Sequence, residues 1–173
     1  MFLKTIPLVI LLFVLHGCSK VDPYDGFKAY YFGDYQKAFE IYTQACEDGD
    51  AFTCYNLGGM LENGLATQKN EKKAFEYYLR ACQNGITQSC VAVAKLYKEG
   101  KAVRHDTNKA FEYYVSACNN NSSEGCYAAG TMSYNKEGGA EDKERTREFF
   151  GKACDLGDQK GCLIYKKLIE AKY

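Results

Sequence analysis

The chain has 173 residues, 46% of them apolar, and Lys+Arg and Asp+Glu each total 22, so the formal net charge is zero. That balance, with no basic run interleaved with aromatics, excludes a broad positive field for phosphate backbones, and nucleic acid is not an expected partner. Two prolines, no tryptophan and fifteen tyrosines, among abundant Ala, Lys and Glu, describe one helix-rich domain with enough apolar mass for a core.

Residues 1–17 read as an export signal. Met1–Lys4 supplies a positive start, Ile6–Leu15 an apolar run, and Gly17 and Cys18 follow. The run is too short to remain as a membrane-spanning helix. Leu15-His16-Gly17-Cys18 resembles a bacterial lipobox, in which the cysteine is acylated and becomes the first mature residue, although His16 departs from the small or apolar residue usual there. The competing reading is a plain secretory signal followed by a stray thiol. The odd total of nine cysteines favours acylation, because a leftover thiol in an exported chain needs an explanation and Cys18 stands outside the pattern of the other eight. Residues 18–23 are then an anchor and short linker, with membrane attachment through Cys18. The lipoprotein resemblance implies, from the non-acidic Ser19 and Lys20, an outer-membrane position facing the periplasm, or release as a secreted form.

From residue 24 to 173 the chain repeats. Cys46, Cys82, Cys118 and Cys154 are spaced by 36, and each is followed eight residues on by Cys54, Cys90, Cys126 or Cys162. Other columns keep that step: Ala38, Ala74, Ala110; Phe39, Phe75, Phe111; Tyr42, Tyr78, Tyr114, Phe150; and Ala45, Ala81, Ala117, Ala153. Such self-similarity is the mark of a solenoid. The units run about 24–48, 49–84, 85–120 and 121–156, with a cap at 157–173. Ala74, Tyr78, Ala81 and Cys82 lie on one face of a helix, and a second, shorter helix carries Cys54, Leu57, Gly58 and Leu61, copied as Cys90, Val93, Ala94 and Tyr97. The column Gly58, Ala94, Gly130 lets the two helices of a pair approach closely. Gly64 and Gly100 stand where the shorter helix should end in a left-handed cap.

Each joint reads Cys-x-x-Gly-x4-Cys, with Gly49, Gly85 and Gly157 at the fixed point and Asn121 replacing glycine once. Glycine and asparagine most readily take positive φ, so a helix should end there and the chain reverse. The first cysteine of each pair then lies in the last turn of one helix and the second in the first turn of the next, which predicts the local bridges Cys46–Cys54, Cys82–Cys90, Cys118–Cys126 and Cys154–Cys162. Metal binding is the competing reading of regular cysteines. Zinc sites gather four ligands in one place, whereas these pairs recur one repeat apart, and an oxidising compartment favours disulfides. No metal ligand set and no cofactor are expected.

The unit Ala-x2-Tyr-x2-Ala-Cys, seen from Ala74, resembles the Sel1-like repeat, a relative of the tetratricopeptide repeat. The added Cys-x7-Cys is similar to the Helicobacter-type cysteine-rich protein family. The resemblance covers about residues 24–171 and implies an all-α solenoid of about four helix pairs plus a C-terminal capping helix, stapled by disulfides. Two departures stand out. The first unit turns at Gly33-Asp34-Tyr35 like an ordinary tetratricopeptide repeat, and the fourth carries Lys136-Glu137-Gly138-Gly139 and places Thr146-Arg147 where others have Ala-Phe.

Repeat solenoids bind partners on the surface lined by the first helix of each pair. Opposite the core-facing positions lie Phe52, Tyr55, Gly59 and Glu62, then Gln88, Val91, Lys95 and Lys98, then Glu124, Tyr127, Thr131 and Tyr134. Phe52, Tyr55, Gln88, Lys95, Lys98, Tyr127 and Tyr134 are the candidate residues for a protein or peptide partner, against the alternative of a solvated face with incidental aromatics. The cysteine-rich family resemblance also implies penicillin binding with weak β-lactamase activity, and with it a β-lactam or peptidoglycan fragment as ligand. Serine β-lactamases combine Ser-x-x-Lys with Ser-Asp-Asn and Lys-Thr-Gly. Only Ser133-Tyr134-Asn135-Lys136 fits the first element and neither other occurs, leaving Ser133 and Lys136 as weak catalytic candidates. His105 is the one histidine beyond the signal, a poor basis for a metalloenzyme.

Overall fold

The computed structural model describes residues 21–138 and 142–172, so the signal and the Cys18 lipidation site lie outside the described residues. Among these residues the regular structure is helical throughout: α1 Pro23–Tyr31, α2 Tyr35–Glu47, α3 Ala51–Asn63, α4 Glu71–Gln83, α5 Thr87–Glu99, α6 Thr107–Asn119, α7 Ser123–Tyr134, α8 Lys143–Asp155 and α9 Gln159–Glu170. No helix in the described part is long and apolar enough to cross a membrane.

Helix starts repeat with the cysteines. Asp34, Asp50, Asn70, Asp106, Ser122, Asp142 and Asp158 each accept a hydrogen bond from a backbone N–H of the first turn. Ile86 is the exception; it caps nothing and instead packs its side chain against the core. Helix ends are equally periodic. Gly49, Gly85 and Gly157 have φ of 99°, 90° and 89°, and Asn121 reaches 62°. Three residues beyond the last residue of the helix, the N–H groups of Asp50, Ile86, Ser122 and Asp158 donate to Ala45, Ala81, Ala117 and Ala153 at 2.9–3.0 Å. The chain reverses within three residues, and the four bridges form as the spacing predicts, each at a sequence separation of 8.

Each helix packs mainly on its neighbours in sequence, giving four pairs, α1/α2 to α7/α8, and α9 as the cap. Within a pair the small column receives an aromatic ring. A Cβ on Gly58 would stand 2.7 Å from the Tyr78 ring, one on Gly130 3.1 Å from Phe150, and one on Gly26 2.7 Å from Tyr42. Gly26 belongs to this column although the 36-residue step misses it, because residues 32–34 join α1 to α2 where residues 64–70 join α3 to α4. Two expectations are corrected. The helix carrying Cys54 is not shorter: α3 and α5 have 13 residues, the same as α4 and α6, because the tight joint lets each begin at once and run to its left-handed glycine at Gly64 or Gly100. Tyr97, read as a copy of buried Leu61, is half-buried; its ring packs between Phe75 and Tyr113, at 5.3 and 5.8 Å, and ties the second pair to the third.

The fourth pair explains its own departures. Ser133 and Thr146 occupy the columns of Leu61/Ala74 and Tyr97/Ala110, and both are buried. Their hydroxyls lie 2.6 Å apart, and Thr146 donates to the Asp142 carbonyl at 2.8 Å. Two buried polar groups are tolerated because each satisfies the other. Ser133→Ala and Thr146→Ala should each cost about 1 kcal/mol, whereas the double variant should cost less than the two combined, since no orphaned hydroxyl remains. Denaturant unfolding of the three variants checks this; strict additivity would mean that the pair is uncoupled.

Candidate functional site

The odd-numbered helices stand side by side, as the groove between α1 and α3 and the ion pair between α5 and α7 require. That groove has a volume of about 380 Å³. Phe27 and Tyr30 of α1 and Phe52 of α3 line its mouth and are exposed. Tyr42, Met60 and Tyr78 form its buried floor, and Tyr55, Asn56 and Glu62 are half-buried between. The rings are mutually packed: Tyr55 lies 5.8 Å from Tyr78 and 6.4 Å from Phe52. Tyr78 donates its hydroxyl to Glu62 Oε2 at 2.7 Å. Burial first, then that bond to Glu62, holds the Tyr78 phenol well above its ordinary pKa; burial and then Tyr30 raise that of Tyr42, partly offset by a hydrogen bond with Asn56. Both phenols therefore remain neutral at any ordinary pH.

Further along the face the character changes. Gln88 is exposed. Lys95 pairs with Glu124 at 2.7 Å and Lys98 with Glu137 at 3.2 Å, each reaching from the third pair to the fourth. Tyr127 is half-buried with its ring 5.8 Å from Phe150, and Tyr134 is exposed. Beneath this stretch burial pushes the Tyr114 phenol up to about 12, reinforced by Glu124 and Glu99. Val91, expected on the open face, is only 4% exposed, because it lies against the α6 side of the core instead of facing out.

The structure thus gathers Phe52, Tyr55 and Glu62 into one groove and places the two lysines outside it, in inter-repeat ion pairs. Sequence reasoning missed Phe27, Tyr30 and Asn56. The signal was present: allowing for the shorter 32–34 connection, Phe27 falls in the column of Gly59 and Lys95, and Tyr30 in that of Glu62 and Lys98.

Ser133 is 2% exposed, with its hydroxyl against Thr146, and Lys136 follows α7 in a left-handed turn with φ of 60°. A substrate has no approach to a hydroxyl so placed. All eight repeat cysteines are in disulfides, and no cluster of metal-ligating side chains occurs among the described residues.

A family model described as Sel1 repeat matches residues 24–50, 51–86, 87–122 and 123–158. Among solved structures, cysteine rich protein B of Helicobacter pylori is 30% identical over 82% of this chain and 96% of its own, with a TM-score of 0.58. A Sel1 repeat protein from Oxalobacter formigenes superposes with a TM-score of 0.81 at 17% identity over 85% of this chain. The protective antigen c5321, present in uropathogenic Escherichia coli strains, gives 0.79 at 21% over 86%. This chain spans 60% and 33% of the lengths of the latter two, whose likeness is one of fold. No curated protein matches the sequence.

Proposed function

Because the chain belongs to the Sel1 repeat family, we propose that it is a protein-binding scaffold that holds a partner on the face formed by α1, α3, α5 and α7. The observation that carries this is the groove with exposed Phe27, Tyr30 and Phe52 at its mouth, since clustered exposed aromatics on a soluble surface mark sites of recognition. Tyr55, Gln88, Lys95, Lys98, Tyr127 and Tyr134 extend the contact surface along the solenoid. The partner is a protein or peptide lying across several repeats.

The scaffold works in the cell envelope. Four disulfides support export, because such bonds persist in oxidising compartments. The apolar run Ile6–Leu15 and Cys18, the ninth cysteine left over from the repeat pattern, support a lipid anchor, which would hold α1 close to the membrane that carries it.

A photo-crosslinking residue introduced at Tyr55, Lys95 or Tyr127 of the full chain in its host should trap a common partner band. The same residue at Glu76 or Glu112, on the even-numbered helices, should not. Equal labelling from both layers would defeat the assignment of the face. In the same cells Cys18→Ser should abolish incorporation of a fatty-acid label; incorporation that persists would defeat the anchor.

A further inference from the structure

We infer that the α1/α3 groove is a cage for one cationic side chain, the ammonium of a lysine or the guanidinium of an arginine on the partner, with Glu62 as its counter-ion and Tyr30, Phe52 and Tyr55 as its walls. This rests on the protein-binding reading and specifies its chemistry. Aromatic faces carry negative potential, and a cation within about 6 Å of a ring centroid is attracted to it. The groove is lined by three such rings and by that carboxylate. Tyr78 donates to Glu62 Oε2 and so holds the carboxylate in place, leaving Oε1 to accept from a ligand. Among the described residues no lysine, arginine or histidine forms an ion pair with Glu62. Lys101, which feels its charge, is itself bound to Glu99 at 2.8 Å.

The chain's own repetition supplies the comparison. Two units on from the α1/α3 junction, the column of Phe27 holds Lys95 and that of Phe52 holds Glu124, and these form an ion pair. At the α5/α7 junction the protein therefore fills the face with its own cation. At the α1/α3 junction it places rings in both columns, and no cation of the described residues forms an ion pair with the nearby carboxylate, which is held by the Tyr78 hydroxyl alone. An anion does not suit the site, since its donors are neutral amides and phenols and its charge is negative. An apolar ligand does not suit it either, because covering Glu62 without a counter-charge would desolvate an ion with nothing in return.

The test uses the full-length oxidised chain, two probes and low salt. Nα-acetyl-lysine methylamide is titrated by NMR against its uncharged analogue Nα-acetyl-norleucine methylamide. The lysine probe should shift the amides of Tyr55, Gly59 and Glu62. Its binding should weaken about five- to tenfold in Glu62→Gln and in Tyr55→Ala, as loss of roughly 1 to 1.4 kcal/mol requires. Glu137→Gln, on the same face but outside the groove, should leave it unchanged, and matching thermal melts establish that each variant is folded. Equal binding of the norleucine probe, or lysine binding indifferent to Glu62→Gln, overturns the cation cage while the protein-binding face stands. If neither probe shifts groove residues, both readings of the groove are overturned.

Discussion

Reduction and alkylation of the eight repeat cysteines should unfold the chain. Each bridge closes a loop of sequence separation 8, which in the chain-entropy model stabilises by about 2.5 kcal/mol. Four together contribute about 10 kcal/mol, comparable with the whole stability of an ordinary domain. The core alone cannot make up the difference, because a solenoid buries only the contacts between neighbouring units and its core here is built largely from alanines, small cysteines and one or two rings per pair. Far-UV circular dichroism should therefore show loss of most helical signal on reduction. A single bridge removed as Cys82→Ser with Cys90→Ser should lower stability by roughly 2–3 kcal/mol and split unfolding at the junction between the second and third pairs. A reduced, alkylated chain that still unfolds cooperatively at the native denaturant midpoint would refute this account.

Phe150→Ala should be the most costly single substitution outside the cysteines, at about 3–5 kcal/mol. The ring is fully buried, lies so close to Gly130 that an added Cβ would stand 3.1 Å from it, and packs edge-on to Tyr127 at 5.8 Å. The glycine opposite cannot expand to fill the vacancy, so the cavity persists. Phe150→Tyr provides the control: the other three units hold Tyr42, Tyr78 and Tyr114 in this column, and the cost should stay below about 1.5 kcal/mol. Hydrogen exchange adds a spatial check. In a solenoid the damage spreads only through neighbouring contacts, so amides of α7, α8 and α9 should lose protection while those of α3 and α4 keep theirs. Uniform loss across all pairs would show that the chain behaves as one cooperative unit.

The candidate site divides by range of interaction. Phe52 and Tyr55 are legible on the open face because their columns follow from helical period and repeat alone. Glu62 is legible as a position but not as an unpaired charge. Its status depends on which cations the adjacent units bring within reach, and Lys95 and Lys98, one repeat further on, turn toward Glu124 and Glu137. Long flexible side chains select partners only when the separation of neighbouring units is known. Ser133 presents the same lesson in the core. As Ser-x-x-Lys it suggests chemistry, yet its hydroxyl lies buried against that of Thr146, a residue thirteen places away on the facing helix.

By itself the sequence determined the helical class, the 36-residue unit, the reversals at Gly49, Gly85, Asn121 and Gly157, and all four bridges, because each of these depends on interactions within about ten residues. Only the tertiary structure decided that Gly26 joins the small column, that Val91 turns inward, and that Phe27 and Tyr30 close a groove over Glu62. The short 32–34 connection shifts the register of α1 against every later unit, and where a face is lined by two repeats its chemistry is set by how those repeats dock, which periodicity along one chain does not contain.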